Sequence, residues 1–186
     1  MRTFIAVNLP IEIQRAVGDY INSIKECMNG IKWVEPNNLH FTIKFLGEVE
    51  NSDINKITAC VSKVASEYGE FSIRLSDTGF FPSEFRPKVV WIGIDGGEDS
   101  LLDLYQDMEQ CFEQYGFDRE AKTFSPHLTI GRVKKFKNVT VPQSLPDFEP
   151  VKFTVSRLAV MKSTLTPEGP IYEKIFESEL SKNSCD

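Results

Sequence analysis

Histidine is nearly absent from this chain: 186 residues hold two, His40 and His127. Cysteine is sparse as well. Cys27, Cys60, Cys111 and Cys185 lie far apart, with no CxxC pair and no Cys/His cluster, so the closely spaced ligands of a structural zinc site are missing. The plain expectation is free thiols in a reducing compartment. Nowhere does an apolar run approach the roughly 20 residues that span a bilayer. The opening MRTFIAVNLP lacks the long apolar stretch and cleavage site of a signal peptide and reads as a first strand. These absences point to a soluble, cytoplasmic protein without a membrane partner. Basic charge is also short, with a net charge of −6, which argues against a long duplex-binding face. The exception is Arg119–Val139, where six basic residues meet one acid. Such a strip on an acidic body suits a small phosphate-bearing site.

What is present is enough for a sizeable core, with 41% hydrophobic residues including 14 Phe. Thr3–Asn8 reads as a strand. Residues 11–28 read as a helix whose apolar positions Ile13, Val17, Ile21 and Ile24 recur at helical spacing. LHFTIKFL, residues 39–46, alternates as a strand should. Further helices are expected over Asp53–Tyr68, with Ser52 as N-cap, and over Ser100–Tyr115. Further strands are expected at Phe71–Leu75, Lys88–Ile94, His127–Val133, Val151–Met161 and Ile171–Glu177, with FFPSEFRP as a loop.

The chain also repeats itself. A shift of 87 residues lays Phe4–Asn8 on Trp91–Asp95, Val17, Ile21 and Ile24 on Leu104, Met108 and Cys111, and His40 and Thr42 on His127 and Thr129. A looser echo at a shift of 80 matches residues 71–76 with 151–156. One strand–helix–strand unit therefore occurs twice, around 2–47 and 89–134. The fold class expected is α+β: one bilobal domain over 1–186, two pseudo-twofold lobes of antiparallel sheet with outer helices, and a cleft between them.

Both histidines open the same pattern, His40-Phe-Thr42-Ile and His127-Leu-Thr129-Ile. Residues i and i+2 of a strand share a face, so each lobe presents an imidazole beside a hydroxyl, opposite its apolar residues. Two imidazoles suit in-line displacement at phosphorus. One deprotonates the nucleophile while the other protonates the leaving oxygen, and both protonation states are accessible near neutral pH. Two hydroxyls can hold the non-bridging oxygens where charge grows. No carboxylate accompanies either motif, which weighs against a two-histidine metal site.

HFTIKFLGEV and SPHLTIGRVK resemble the paired HxTx motifs of the 2′-5′ RNA ligase/RNA 2′,3′-cyclic phosphodiesterase family, within the two-histidine phosphoesterase superfamily. The similarity extends through RTFIAVNLP, the WVEPNNLHFTIKFLGEV block, the loop before VVWIGI and the closing KSTLTPEGPIYEKIFESEL. The resemblance implies hydrolysis of a terminal 2′,3′-cyclic phosphate to a 2′-phosphomonoester, and in some members reversible 2′-5′ joining. It implies no metal and no cofactor, RNA ends such as tRNA halves as partners, and a monomer. It makes His40 the proton donor, His127 the proton acceptor, and Thr42 and Thr129 phosphate-binding residues.

Arg132 resembles an arginine that often follows the second motif. Regular strand parity turns it away from His127, and a bulge at Gly131 would re-aim it. Lys44 shares parity with His40 and Thr42 and is a further substrate-binding candidate. Phe80, Phe81 and Phe85 fall in the loop, where packing is expected over base stacking. Spacing assigns no role to Ser163 or Tyr172. Two other readings stay open: a cyclic phosphodiesterase of small nucleotides, such as ADP-ribose cyclic phosphate, and an RNA-end-binding module without catalysis.

Overall fold

Apolar residues on alternate positions of the strands, and at helical spacing between them, build two antiparallel sheets and three α-helices among the described residues. A computed structural model describes residues 1–135, 137–167 and 169–181. Strand β1 (Arg2–Asn8) leads into α1 (Ile11–Ile24), the short edge strand β2 (Ile31–Trp33) and β3 (His40–Glu48). Then follow α2 (Ile54–Ser66), β4 (Phe71–Phe81), β5 (Val89–Gly96), α3 (Glu98–Gln114) and β6 (Leu128–Val133). The chain closes with β7 (Val151–Val155), β8 (Arg157–Leu165) and β9 (Pro170–Glu179). One sheet has the order β3-β1-β8-β9 and the other β2-β6-β5-β4-β7.

The repeat is realised as β1-α1-β3 and β5-α3-β6, each pairing its two strands antiparallel. The motif strands β3 and β6 occupy matching places beside β1 and β5. The echo at a shift of 80 is not a structural equivalence. β7 lies next to β4 in the same sheet, with Phe71 opposite Val155, and the neighbour of β1 corresponding to β4 is β8. Residues 151–161 accordingly form two strands rather than one, because the chain changes sheets at Ser156.

The lobes are stitched together. β2, from the first unit, adds to the edge of the second sheet by pairing Trp33 with Gly131. The Tyr20 hydroxyl of α1 lies 2.6 Å from Thr78 Oγ1 on β4. One continuous buried cluster runs through both lobes, joining Val17 and Ile24 of α1 to Phe41, Ile43, Leu128 and Ile130 on the motif strands. The helices thus cover the strand faces opposite the histidines.

Several boundaries depart from expectation. The first helix ends at Ile24, short of residue 28. The second begins after a 3₁₀ turn over Asn51–Asp53, and no side chain caps it; the Asp53 N–H bonds Glu50 O at 3.0 Å instead of Ser52 closing the helix end. Phe80 and Phe81 belong to β4 rather than a loop. α2 and α3 pack together and bring the buried Cys60 and Cys111 side by side, with Cα atoms 6.0 Å apart. Cys27 is free and exposed, and Cys185 lies outside the described residues.

Candidate active site

His40 and His127 line one cavity of about 610 Å³ between the two sheets, together with Thr42 and Thr129. Among the described residues, no carboxylate lines it. Each imidazole is anchored in the same way: His40 Nδ1 sits 2.7 Å from Asn38 O, and His127 Nδ1 sits 2.7 Å from Ser125 O, both two residues upstream. A carbonyl only accepts, so Nδ1 carries the hydrogen and Nε2 is left to exchange protons in the cavity. The backbone repeat therefore fixes the same tautomer twice.

Aromatic rings enclose both imidazoles. Phe4 lies 4.9 Å from the His40 ring and Tyr172 meets it edge-on at 5.1 Å. Phe81 meets His127 edge-on at 4.9 Å and itself rests on Trp91 at 5.0 Å. Burial lowers the pKa of both histidines from the ordinary 6.5. The anchoring carbonyls oppose this shift, and the positive charge of Arg132 adds to it.

Parity is broken at the same place in both motif strands, and β3 carries a second shift further on, at Leu46. Ala6 faces Thr42 while Ile5 faces Lys44, which makes Ile43 an extra residue. Trp91 faces Thr129 while Val90 faces Gly131, which makes Ile130 an extra residue. These bulges decide the two remaining candidates in opposite senses. Arg132 turns back into the cavity, and the bulged residue is Ile130 rather than Gly131. Lys44 turns away from it, which corrects its expected place in the substrate site. Its Nζ is buried 2.6 Å from Glu109 Oε1 and 2.9 Å from Asp118 O, with 3% and 4% of the Lys44 and Glu109 side chains exposed.

The cavity also gathers residues that spacing did not reveal. Arg2 lines it and lays its guanidinium 4.5 Å over the ring of Phe45. Ser163 and Tyr172, opposite one another on β8 and β9, complete the wall with Asn38. Strand parity alone would have found Phe4 and Tyr172 only with the sheet order in hand. Among the loop phenylalanines, Phe81 supports His127, and Phe85 stands exposed outside the cleft lining. Among the described residues, no three His, Cys, Asp or Glu side chains converge as metal ligands would.

The chain resembles known proteins over nearly its whole length. It is 34% identical over 181 residues to an RNA 2′,3′-cyclic phosphodiesterase of Thermotoga maritima, covering 96% of this chain and 95% of that protein. A protein of the same name from Archaeoglobus fulgidus is 36% identical over 182 residues, covering 95% and 100%. Among solved structures, a Thermus thermophilus protein superposes with a TM-score of 0.82 at 28% identity, covering 98% and 100% of the two chains. Escherichia coli LigT complexed with 3′-AMP shares the fold with a TM-score of 0.78 at 22% identity, covering 97% and 98%. A family model matches residues 10–166, and the chain belongs to the 2′-5′ RNA ligase superfamily.

Proposed function

We propose that this protein is an RNA 2′,3′-cyclic phosphodiesterase in which His40 and His127 act as paired acid and base. The observation that carries the reading is the pair of imidazoles held in one tautomer by Asn38 O and Ser125 O, beside two threonines in one cavity. The names of the curated relatives support it.

The reaction needs one proton removed and one supplied. Neutral His127 takes a proton from water through Nε2 as the oxygen attacks phosphorus. Protonated His40 delivers its Nε2 proton to the departing 3′-oxygen, so the P–O3′ bond breaks, a P–OH bond forms, and the phosphate stays on O2′. Family resemblance sets this direction, since the two motifs are pseudo-symmetric. Thr42 and Thr129 hold the non-bridging oxygens, and Arg132 and Arg2 offset their charge. Run backwards with a 5′-hydroxyl in place of water, the same groups exchange roles and join RNA ends 2′-5′. The proposal extends to a monomer acting on RNA in the cytoplasm. No described helix is long and apolar enough to cross a membrane.

The test is turnover of an oligoribonucleotide ending in a 2′,3′-cyclic phosphate, in EDTA, with phosphorus NMR to locate the product phosphate. A 2′-phosphate is expected from the unmodified protein and none from His40→Ala or His127→Ala. Retained turnover in both single variants would end the two-histidine reading.

A further inference from the structure

A second cavity, of about 470 Å³, opens beside the catalytic one and shares Val34, Asn38, Arg132, Pro170 and Tyr172 with it. Both volumes fall in the roughly 300–1,000 Å³ of small-ligand sites. The second cavity adds Trp33 from the edge strand β2, with Thr166 and Ile171 from the tip of the β8–β9 hairpin. Lys32 and Glu35 line it as well, so an indole, a phenol and aliphatic side chains meet charged and polar groups there, a mixture that can take a base together with its linking phosphate.

The hairpin tip carries two large apolar side chains that packing does not explain. Leu165 is 66% exposed and Ile171 is 55% exposed. They are divided between the two cavities, Leu165 lining the catalytic one and Ile171 lining only the second. Apolar side chains held open to solvent over adjoining cavities are suited to a ligand that covers them.

An RNA end closed by a 2′,3′-cyclic phosphate continues in one direction only, through the O5′ of its last nucleoside. Whatever leaves the catalytic cavity is therefore the preceding nucleotide. Two mouths are available. The mouth lined by Met1, Glu48, Asn51 and Lys162 shares Arg2, Ser163 and Leu165 with the catalytic cavity, but its described lining holds no aromatic ring on which a base could stack. The mouth at Trp33 offers an indole and the guanidinium of Arg132 at the junction, where the linking phosphate would pass.

We propose that the cavity between β2 and the β8–β9 tip seats the penultimate nucleotide, so that the enzyme favours single-stranded RNA ends of two or more nucleotides over cyclic mononucleotides. The inference rests on the phosphodiesterase reading above.

The experiment compares kcat/KM for adenosine 2′,3′-cyclic phosphate with that for the dinucleotide ApA bearing the same cyclic end, in the unmodified protein, Trp33→Ala, Ile171→Ala and Lys162→Ala. The unmodified protein should favour the dinucleotide by about tenfold or more, the gain expected from one base stacked on an aromatic ring. Trp33→Ala and Ile171→Ala should erase most of that preference and leave mononucleotide turnover unchanged. Ile171 is exposed, so its variant stays informative even if Trp33→Ala misfolds. Equal kcat/KM for the two substrates in the unmodified protein overturns the subsite and leaves the phosphodiesterase standing. A preference that survives Ile171→Ala, or is lost only in Lys162→Ala, also overturns it. Turnover of neither substrate strikes the phosphodiesterase reading, and the subsite falls with it.

Discussion

Phe45 and Arg132 occupy the same position in the two lobes, five residues after His40 and His127, and both face the catalytic cavity. One bulged residue in each strand, Ile43 and Ile130, puts them there. Where the second lobe supplies a guanidinium directly, the first supplies a ring that carries the guanidinium of Arg2. The cavity lining therefore holds a cation from each lobe, delivered by different routes.

That arrangement sets the pH behaviour. Turnover needs one histidine protonated and the other neutral, and burial together with the Arg132 charge lowers both from 6.5. Above 6.5 the protonated acid is the scarce form, so kcat/KM should peak below pH 6.5 and fall as pH rises through neutrality. Arg132→Gln removes one of the lowering influences. Its kcat/KM should drop by about 10–100-fold, the loss of one charge-assisted contact, and its profile should move to higher pH. A pH–rate series on both proteins checks this; an unmoved profile in Arg132→Gln would show that the guanidinium does not act on the histidines.

The threonines make a separable contribution. Thr42→Val and Thr129→Val keep the side-chain shape and lose the hydroxyl. Each should lower kcat by about 10²–10³, the usual effect of removing one donor to a developing oxyanion, with the melting temperature nearly unchanged. Serine at either position should restore most of the rate. If valine is as active as serine, the hydroxyls do not touch the phosphate.

Lys44 belongs to stability rather than substrate. It ties β3 to α3 through Glu109, whose other oxygen accepts the Glu120 N–H at 2.8 Å, and it bonds Asp118 O. The pair thereby secures the segment that leads to Ser125 and His127. Lys44→Met strands a buried carboxylate and should cost about 3–5 kcal/mol. Adding Glu109→Gln should recover part of the loss, because no buried charge is left. Denaturant unfolding of the single and double variants measures both. A single variant within about 1 kcal/mol of the parent would contradict the latch.

The residues that proved legible in the sequence are those whose chemistry and periodicity agree. His40, Thr42, His127 and Thr129 were readable because the strand period of two puts each pair on one face and the repeat puts the pairs in matching strands. The one-residue bulges were not readable, because Ile43 and Ile130 are ordinary apolar strand residues and only the partner strand shows which residue is extra. For that reason Lys44 looked like a ligand and Arg132 looked misdirected. The break at Ser156 was hidden in the same way, since both halves of 151–161 favour strand and only tertiary pairing sends them to different sheets. Cys60 and Cys111, 51 residues apart, meet only once α2 lies on α3. Arg2 and Tyr172 reach the site from β1 and β9, whose proximity to the motifs is a matter of sheet order.

Sheet packing behind His127 offers a test of positioning at a distance. Gly79 lies opposite Trp91 in the β4–β5 ladder, and a Cβ there would meet Trp91 Cζ2 at 2.1 Å. The indole can lie across β4 only because that position has no side chain. Trp91 supports Phe81, and Phe81 packs edge-on against the His127 ring. Gly79→Ala should therefore displace the indole, cost about 1–3 kcal/mol through overpacking, and lower kcat at least about tenfold by shifting the base. Gly93→Ala meets the same ring at 3.0 Å and should do less of both. Stability and kcat measured together separate a positioning effect from simple unfolding: a folded Gly79→Ala protein with unchanged kcat would show that the Trp91–Phe81 stack does not hold His127 in register.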